Sequence, residues 1–371
     1  MTSQVTLPEI LRFGRGVRHE LATLLPPGAV LILCGKHSRA RVEGELLPRL
    51  DGREVEIIPD FPPEPPLDRV DAAVAAGRRI KAASVIGWGG GSAIDGAKAV
   101  AALLNWEGSC ADAFYGRSAP EERTCFFAAV PTTAGTGAEV TANAVLTDPK
   151  TGIKQSLRCP GMTANAVLSD PELVEEAPLS VLAGSGMDAL TQSVESFLSR
   201  KADTLSRELA RSAGTMLWNA LRAIAAGTCD ASGFDRLTQG SLLAGCALSK
   251  SGLGAVHGVG HPAGSRGHIP HGVCCAILLP TVLEWNRAVP AAEAALSEFA
   301  LALTGDKDAG RFIAGIRDLR KSLSLPEDFR AWNFTAEDVT FVVDHCRSGS
   351  MKSNPRDLSD EEVRQLMESL C

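Results

Sequence analysis

The sequence predicts an α/β domain followed by an all-α domain, and three observations carry that prediction. The first half alternates short apolar runs with amphipathic stretches of helical period, as in a mostly parallel sheet with helices on both faces. From about Leu179 onward, Ala- and Leu-rich helical stretches take over and strand-like runs become rare. The chain has 371 residues, too many for one ordinary core and about right for two.

The elements follow in order. AVLILCG (29–35) and REVEIIP (53–59) read as strands. LDRVDAAVAAGRRI reads as an amphipathic helix. ASVIGWGGGS is a strand running into a glycine turn, and AIDGAKAVAALL is the helix that follows. FFAAVPTTAGTG is another strand and turn. VLAGSGMDALTQSVESFLSR and SRELARSAGTMLWNALRAIAAG then read as long helices. The boundary falls at the PLS turn (178–180), where Ser180 supplies an N-cap, so the domains span 1–177 and 178–371. No repeats or low-complexity segments stand out.

Composition narrows the function classes. Hydrophobic residues make up 45% and charged residues 22%, as in an ordinary globular protein. A net charge of −7 argues against a nucleic-acid partner. The opening MTSQVTLPEILRFGRG has no apolar signal-peptide core, and no apolar run is long enough to span a bilayer. The expectation is a cytoplasmic protein with no membrane partner. Ten cysteines are scattered without any CxxC pair, and Cys274 and Cys275 adjoin in a buried-looking run. They read as small core residues of a reducing compartment.

Two glycine-rich turns point to a nucleotide. Gly89, Gly90, Gly91 and Ser92 sit between a strand and a helix. Glycines let the backbone approach a phosphate, and the helix N-terminus offers free N–H groups and a positive dipole end. The pattern is neither GxGxxG nor a Walker loop, and a plain tight turn satisfies it equally. The second turn, PTTAGTGAE, adds Thr132, Thr133 and Thr136. Two such loops after strand ends would line one crevice at the carboxyl edge of the sheet.

The helical half holds candidate metal ligands. AVHGVGHPAGSRGHIPHG contains His257, His261 and His271, and GMDALTQSVES contains Asp188 and Gln192. Asp188/Gln192 and His257/His261 are each four residues apart, on one helical face. Together they offer a carboxylate, an amide oxygen and imidazoles to one divalent metal. The competing reading of His257 and His271 is a pair of hydrogen-bonded core histidines.

In order and spacing, GGGSAIDGAKAVA, PTTAGTGAEVT, GMDALTQSVES and HGVGHPAGSRGHIPHG resemble the iron-containing (group III) alcohol dehydrogenases, of the dehydroquinate synthase-like superfamily. The resemblance runs from FGRG (13–16) to NPR (354–356). It implies an N-terminal dinucleotide-binding α/β domain, a helical domain for metal and substrate, and a metal in the cleft between them. It implies hydride transfer between NADH or NADPH and an aldehyde or alcohol, with Fe2+ or Zn2+, in a homo-oligomer, usually a dimer. Carried over, the glycine turn with Ser92 and Asp95 would hold the pyrophosphate. Thr132, Thr133, Thr136 and Lys154 would line the ribose and nicotinamide. The family's metal is held by an Asp, a His four residues on, and two His fourteen apart; those positions are Asp188, Gln192, His257 and His271. His261 resembles the residue assigned to proton relay, against the alternative of an orienting histidine.

The chain departs from that pattern in three places. Gln192 stands where a histidine is expected, and a neutral amide is a poorer ligand for iron or zinc. Weaker binding, a different metal and no metal all stay open at this point. Gly35 stands where NAD-preferring members tend to carry an Asp, with Lys36, Ser38, Arg39 and Arg41 nearby. A 2′-phosphate would meet no like charge there, so NADPH is expected to be accepted. Arg266 and His268 lie between the histidines, where an anionic group on an aldehyde would find a cation; the competing reading is a solvent-facing rim. The alternatives weighed are a metal-independent reductase resembling maleylacetate reductase, a lyase like dehydroquinate synthase, and a nucleotide-binding scaffold without catalysis. Glycerol dehydrogenase is a further relative, with less similar motifs.

Overall fold

The computed structural model describes residues 6–371. The first five residues, part of the stretch read for a leader, lie outside it. The chain divides into two compact units, Met1–Ala177 and Pro178–Cys371.

The first unit is built on a six-stranded sheet. Its strands are β1 (Ile10–Phe13), β2 (Ala29–Cys34), β3 (Val55–Ile58), β4 (Ala82–Gly89), β5 (Phe126–Pro131) and, after a hairpin of β6 (Ala144–Thr147) and β7 (Lys154–Leu157), β8 (Ala166–Ser169). The order is β1-β8-β5-β4-β2-β3, and every pairing within it is parallel. A parallel sheet is covered on both faces, and period-two alternation sorts the side chains. Leu31, Leu33, Val85 and Phe127 face one core, with the helices Leu67–Arg79 and Gly91–Leu103. Val30, Ile32, Ile86 and Trp88 face the other, which short helical segments around Leu21, Val42 and Leu46 close.

The strand order fixes where a ligand crevice opens. From β2 the chain proceeds to one edge of the sheet, and from β4 it proceeds toward the other. Such a reversal opens a crevice beyond the carboxyl ends of the two strands. Gly35 follows β2, Gly89 ends β4, and the Gly35 N–H donates to the Trp88 carbonyl at 3.2 Å.

The second unit is helical throughout among the described residues. Its helix Leu179–Leu198 packs against Thr204–Ala225, Ala231–Ser251 and His271–Asn286, and Ala255–Gly267 packs on the last of these. Ser180 is not the N-cap. Pro178 holds that position in extended backbone, the helix starts at Leu179, and no side chain caps it. Proline fits the cap because its ring fixes φ close to the observed −55°, and it has no N–H to leave unsatisfied. No helix is long and apolar enough to cross a membrane among the described residues. No disulfide joins any of the ten cysteines among the described residues.

Candidate active site and metal centre

Four side chains converge in the second unit. Asp188 Oδ1 lies 3.1 Å from His257 Nε2, 3.8 Å from His271 Nε2 and 3.7 Å from Cys275 Sγ. The four donor atoms all fall within 4.8 Å of one another. Asp188, His257 and Cys275 are buried and His271 is partly buried. Three helices deliver them: Leu179–Leu198 carries Asp188, Ala255–Gly267 carries His257, and His271–Asn286 carries His271 and Cys275.

Backbone contact sets this convergence. A Cβ on Gly272 would lie 2.0 Å from the Gly184 carbonyl oxygen, so only glycine lets these two helices come this close. Gly184 is four residues before Asp188, and Gly272 directly follows His271, so the contact brings both donor-bearing turns together.

Glu195 organises the far side. Its Oε2 meets His257 Nδ1 at 2.6 Å, and its Oε1 accepts the Val256 N–H at 2.7 Å. Asn354 Oδ1 accepts the adjacent Ala255 N–H at 3.1 Å. The first two N–H groups of this helix are thus satisfied by distant side chains. Gly254 makes room for both, since a Cβ there would lie 2.7 Å from Glu195 Oε1 and 2.9 Å from Asn354 Oδ1. The bond to Glu195 places the Nδ1 proton and turns Nε2 toward Asp188, as a ligating histidine requires.

The electrostatics are those of a concentrated donor set. Burial opposes charge on His257, but Cys275, Glu195 and Asp188 outweigh it and hold the imidazole pKa well above its ordinary value. Burial pushes the Cys275 thiol up to about 12. One carboxylate, two imidazoles and a thiol at this spacing fit a small divalent cation in type and reach. Gln192 touches the cluster differently. Its Nε2 donates to Asp188 Oδ1 at 3.2 Å, while its buried Oε1 has no hydrogen-bond partner. His261, one turn beyond His257, stands with its ring 4.8 Å from that of His271 and 5.9 Å from that of His257.

In the first unit, the glycine turn and the threonine loop sit side by side. The Thr132 N–H donates to the Gly89 carbonyl at 3.0 Å. A Cβ on Gly91 would lie 2.6 Å from Thr136 Oγ1, and one on Gly90 would lie 3.4 Å from the Thr133 side chain. Gly90 is the N-cap of the Gly91–Leu103 helix, with Ser92 in its first turn, no side chain capping it and no acidic residue in that turn. An uncapped, uncharged helix start at a switch point fits a phosphate.

Asp95, expected beside the pyrophosphate, is hydrogen-bonded within the protein on both carboxylate oxygens. Its Oδ1 accepts from Lys98 Nζ at 3.1 Å and its Oδ2 accepts the Val145 N–H at 3.0 Å. A carboxylate would also repel a pyrophosphate. Asp95 instead partners Lys98, whose fully buried Nζ also donates to the carbonyls of Ala138 and Asn143, each at 2.6 Å. This pair ties the helix to the threonine loop. Lys154 Nζ is bonded to Glu64 at 2.7 Å.

Two family models match the chain: "Iron-containing alcohol dehydrogenase" over residues 8–171 and "Fe-containing alcohol dehydrogenase family, C-terminal" over residues 182–371. The chain belongs to the iron-containing alcohol dehydrogenase family. It is 32% identical over 330 residues to the 1-propanol dehydrogenase PduQ of Salmonella typhimurium, covering 85% of each chain. It is 30% identical to the NADPH-dependent butanol dehydrogenase of Clostridium saccharobutylicum, covering 98% of this chain and 96% of that one. Among solved structures, the sulfoacetaldehyde reductase of Bifidobacterium kashiwanohense in complex with NAD+ matches with a TM-score of 0.89 at 27% identity, over 100% and 99% of the two chains.

As a member of the iron-containing alcohol dehydrogenase family, the chain is an enzyme, and the candidate cluster includes residues that sequence reasoning missed. Glu195 follows Asp188 by seven residues and Gln192 by three, on the same helical face, so periodicity alone carried the signal. Cys275 follows His271 by four, the same spacing that marked His257 and His261. Arg266 and His268 stand apart from the donor cluster. Arg266 Nε pairs with Asp338 at 2.5 Å and its guanidinium lies over the Phe341 ring at 5.5 Å. His268 is exposed and closes its helix in the left-handed region, with φ at 51°.

Proposed function

We propose that this enzyme interconverts an aldehyde and its alcohol by metal-assisted, NAD(P)-dependent hydride transfer. The observation that carries the reading is the convergence of Asp188, His257 and His271 on one point. When bound, the metal supplies a Lewis acid for the carbonyl oxygen and the nicotinamide supplies the hydride. Asp188, His257 and His271 hold the metal, and Glu195 keeps the His257 Nε2 lone pair turned toward it. His261 passes the proton through an imidazole nitrogen, its ring tilted against that of His271 with centroids 4.8 Å apart.

In this reading the 1–177 domain binds the dinucleotide and the 178–371 domain binds metal and substrate. The N–H groups of Gly91 and Ser92 receive the pyrophosphate, with Gly35, Gly89 and Gly90 giving the backbone close approach. Thr132, Thr133 and Thr136 face the ribose and nicotinamide, and Lys98 with Asp95 holds their loop in place. NADPH is accepted, because no carboxylate stands at Gly35 and the exposed Lys36 makes no ion pair among the described residues. The NADPH dependence named for the Clostridium relative supports this.

A substrate with an anionic group is the narrower version of the proposal. The sulfoacetaldehyde reductase neighbour favours it. Arg266 is a weak anchor for it, because Asp338 already neutralises the guanidinium. The test is NADPH and NADH oxidation with neutral and sulfonate- or carboxylate-bearing aldehydes, with Fe2+ or Zn2+ and again with chelator. Turnover that requires metal supports the proposal. Turnover that survives chelation replaces it with a metal-independent reductase.

A further inference from the structure

We infer that Cys275 supplies the fourth protein ligand to the metal, as a thiolate, and that Gln192 acts as a hydrogen-bond donor to Asp188. The inference rests on the metal-assisted reading above and deepens it.

Geometry carries it first. Cys275 Sγ lies 3.7 Å from Asp188 Oδ1, 3.6 Å from His271 Nε2 and 3.9 Å from His257 Nε2. A tetrahedral ion with nitrogen and oxygen ligands at about 2.0–2.1 Å and sulfur at about 2.3 Å holds its ligand atoms roughly 3.3–3.6 Å apart. These three sulfur spacings lie within a few tenths of an ångström of that figure. Cys275 sits one helical turn after His271, so both side chains leave the helix on the same face.

Gln192 has the opposite geometry. The atom it presents to the cluster is Nε2, which donates to Asp188 Oδ1 and has no lone pair to give a cation. Its Oε1 stays buried and unpartnered. The bond from Nε2 orients the Asp188 carboxylate.

Charge agrees with geometry. Asp188 and a Cys275 thiolate carry two negative charges, and two neutral imidazoles complete the set, so a divalent ion is balanced inside a buried site. Binding would form a metal–sulfur and a metal–nitrogen bond as the Cys275 S–H and His257 Nε2–H bonds break and both protons leave to solvent, with no change of oxidation state. A soft sulfur donor among two imidazoles also moves the preference from iron toward zinc.

The test uses the full-length protein, stripped of metal and reloaded with cobalt(II) or zinc(II). The wild type should bind one cobalt with a thiolate-to-cobalt charge-transfer band in the near ultraviolet. X-ray absorption of the zinc form should show one sulfur neighbour at about 2.3 Å. Cys275→Ser should lose the band and weaken metal binding roughly tenfold or more, and Gln192→Ala should keep the band. One bound metal without a sulfur neighbour in the wild type would overturn this inference alone. Failure of the wild type to bind any metal would overturn the metal-assisted reading with it. The absorption measurement needs no variant, so the outcome does not depend on Cys275→Ser folding.

Discussion

Glu195 and His257 share a 2.6 Å hydrogen bond, and through it one carboxylate decides which imidazole nitrogen faces Asp188. Partners of this kind typically contribute 10–100-fold to metal affinity or activity. Glu195→Ala should therefore weaken zinc binding by about 10–100-fold, measured by competition with a chromogenic chelator. Glu195→Gln still accepts the Nδ1 proton and should lose less. Equal affinity in wild type and Glu195→Ala would remove Glu195 from the site.

Gly184 and Gly272 touch through their backbones, yet their substitutions should differ. A Cβ on Gly272 meets the Gly184 oxygen at 2.0 Å, whereas a Cβ on Gly184 meets nothing within 4 Å. Gly272→Ala should cost about 1–3 kcal/mol by overpacking and weaken metal binding as the helices part. Gly184→Ala should be neutral or stabilise by up to about 1 kcal/mol, because alanine is the better helix former. Denaturant unfolding with metal titration distinguishes the two, and equal effects would contradict the crossing.

Lys36 is the cation expected to choose the cofactor. Arg39 is paired with Glu43 at 2.8 Å, and Arg41 with Glu45 at 2.7 Å and also with Glu176. Lys36→Ala should lower kcat/KM for NADPH about tenfold and leave NADH unchanged, as expected for one charged hydrogen bond. Arg39→Ala should change neither. A drop shared by both cofactors would mean that Lys36 does not read the 2′-phosphate.

Glu139 makes stability depend on pH. Burial lifts its pKa from 4.5 to about 7; Lys98 pulls the other way and does not reverse the shift. Between those values the folded protein keeps a proton that the unfolded chain has released. Stability should therefore fall as pH rises through that window and level off above it, by on the order of 3 kcal/mol. In Glu139→Gln the dependence should flatten, which urea unfolding at several pH values reads directly.

Much of this was legible in the chain, and the exceptions have physical reasons. Strands β2, β4 and β5 are apolar and bounded by turn residues, so they stand out. Strand β1 is only four residues, ILRF, at the edge of the sheet, with its two central residues exposed, and its pairing with β8 spans the whole first unit. Nothing local marks it. Asp188, His257 and His271 were readable because carboxylate and imidazole spacing signals a metal. Cys275 was not, because a cysteine beside apolar residues looks like core until its distance to Asp188 is known. Ser180 misled because a good capping residue lies at the second position of a helix whose N-cap is Pro178.

The meeting of Gly184 and Gly272 makes the main chain the ruler of the donor cluster. Side chains can rotate or lengthen to absorb a neighbour's change, but two backbones in contact have no slack to give. Side chains elsewhere in the helical unit can therefore change while the donor spacing stays calibrated. An engineer altering specificity could leave these two positions fixed and treat the surrounding surface as replaceable.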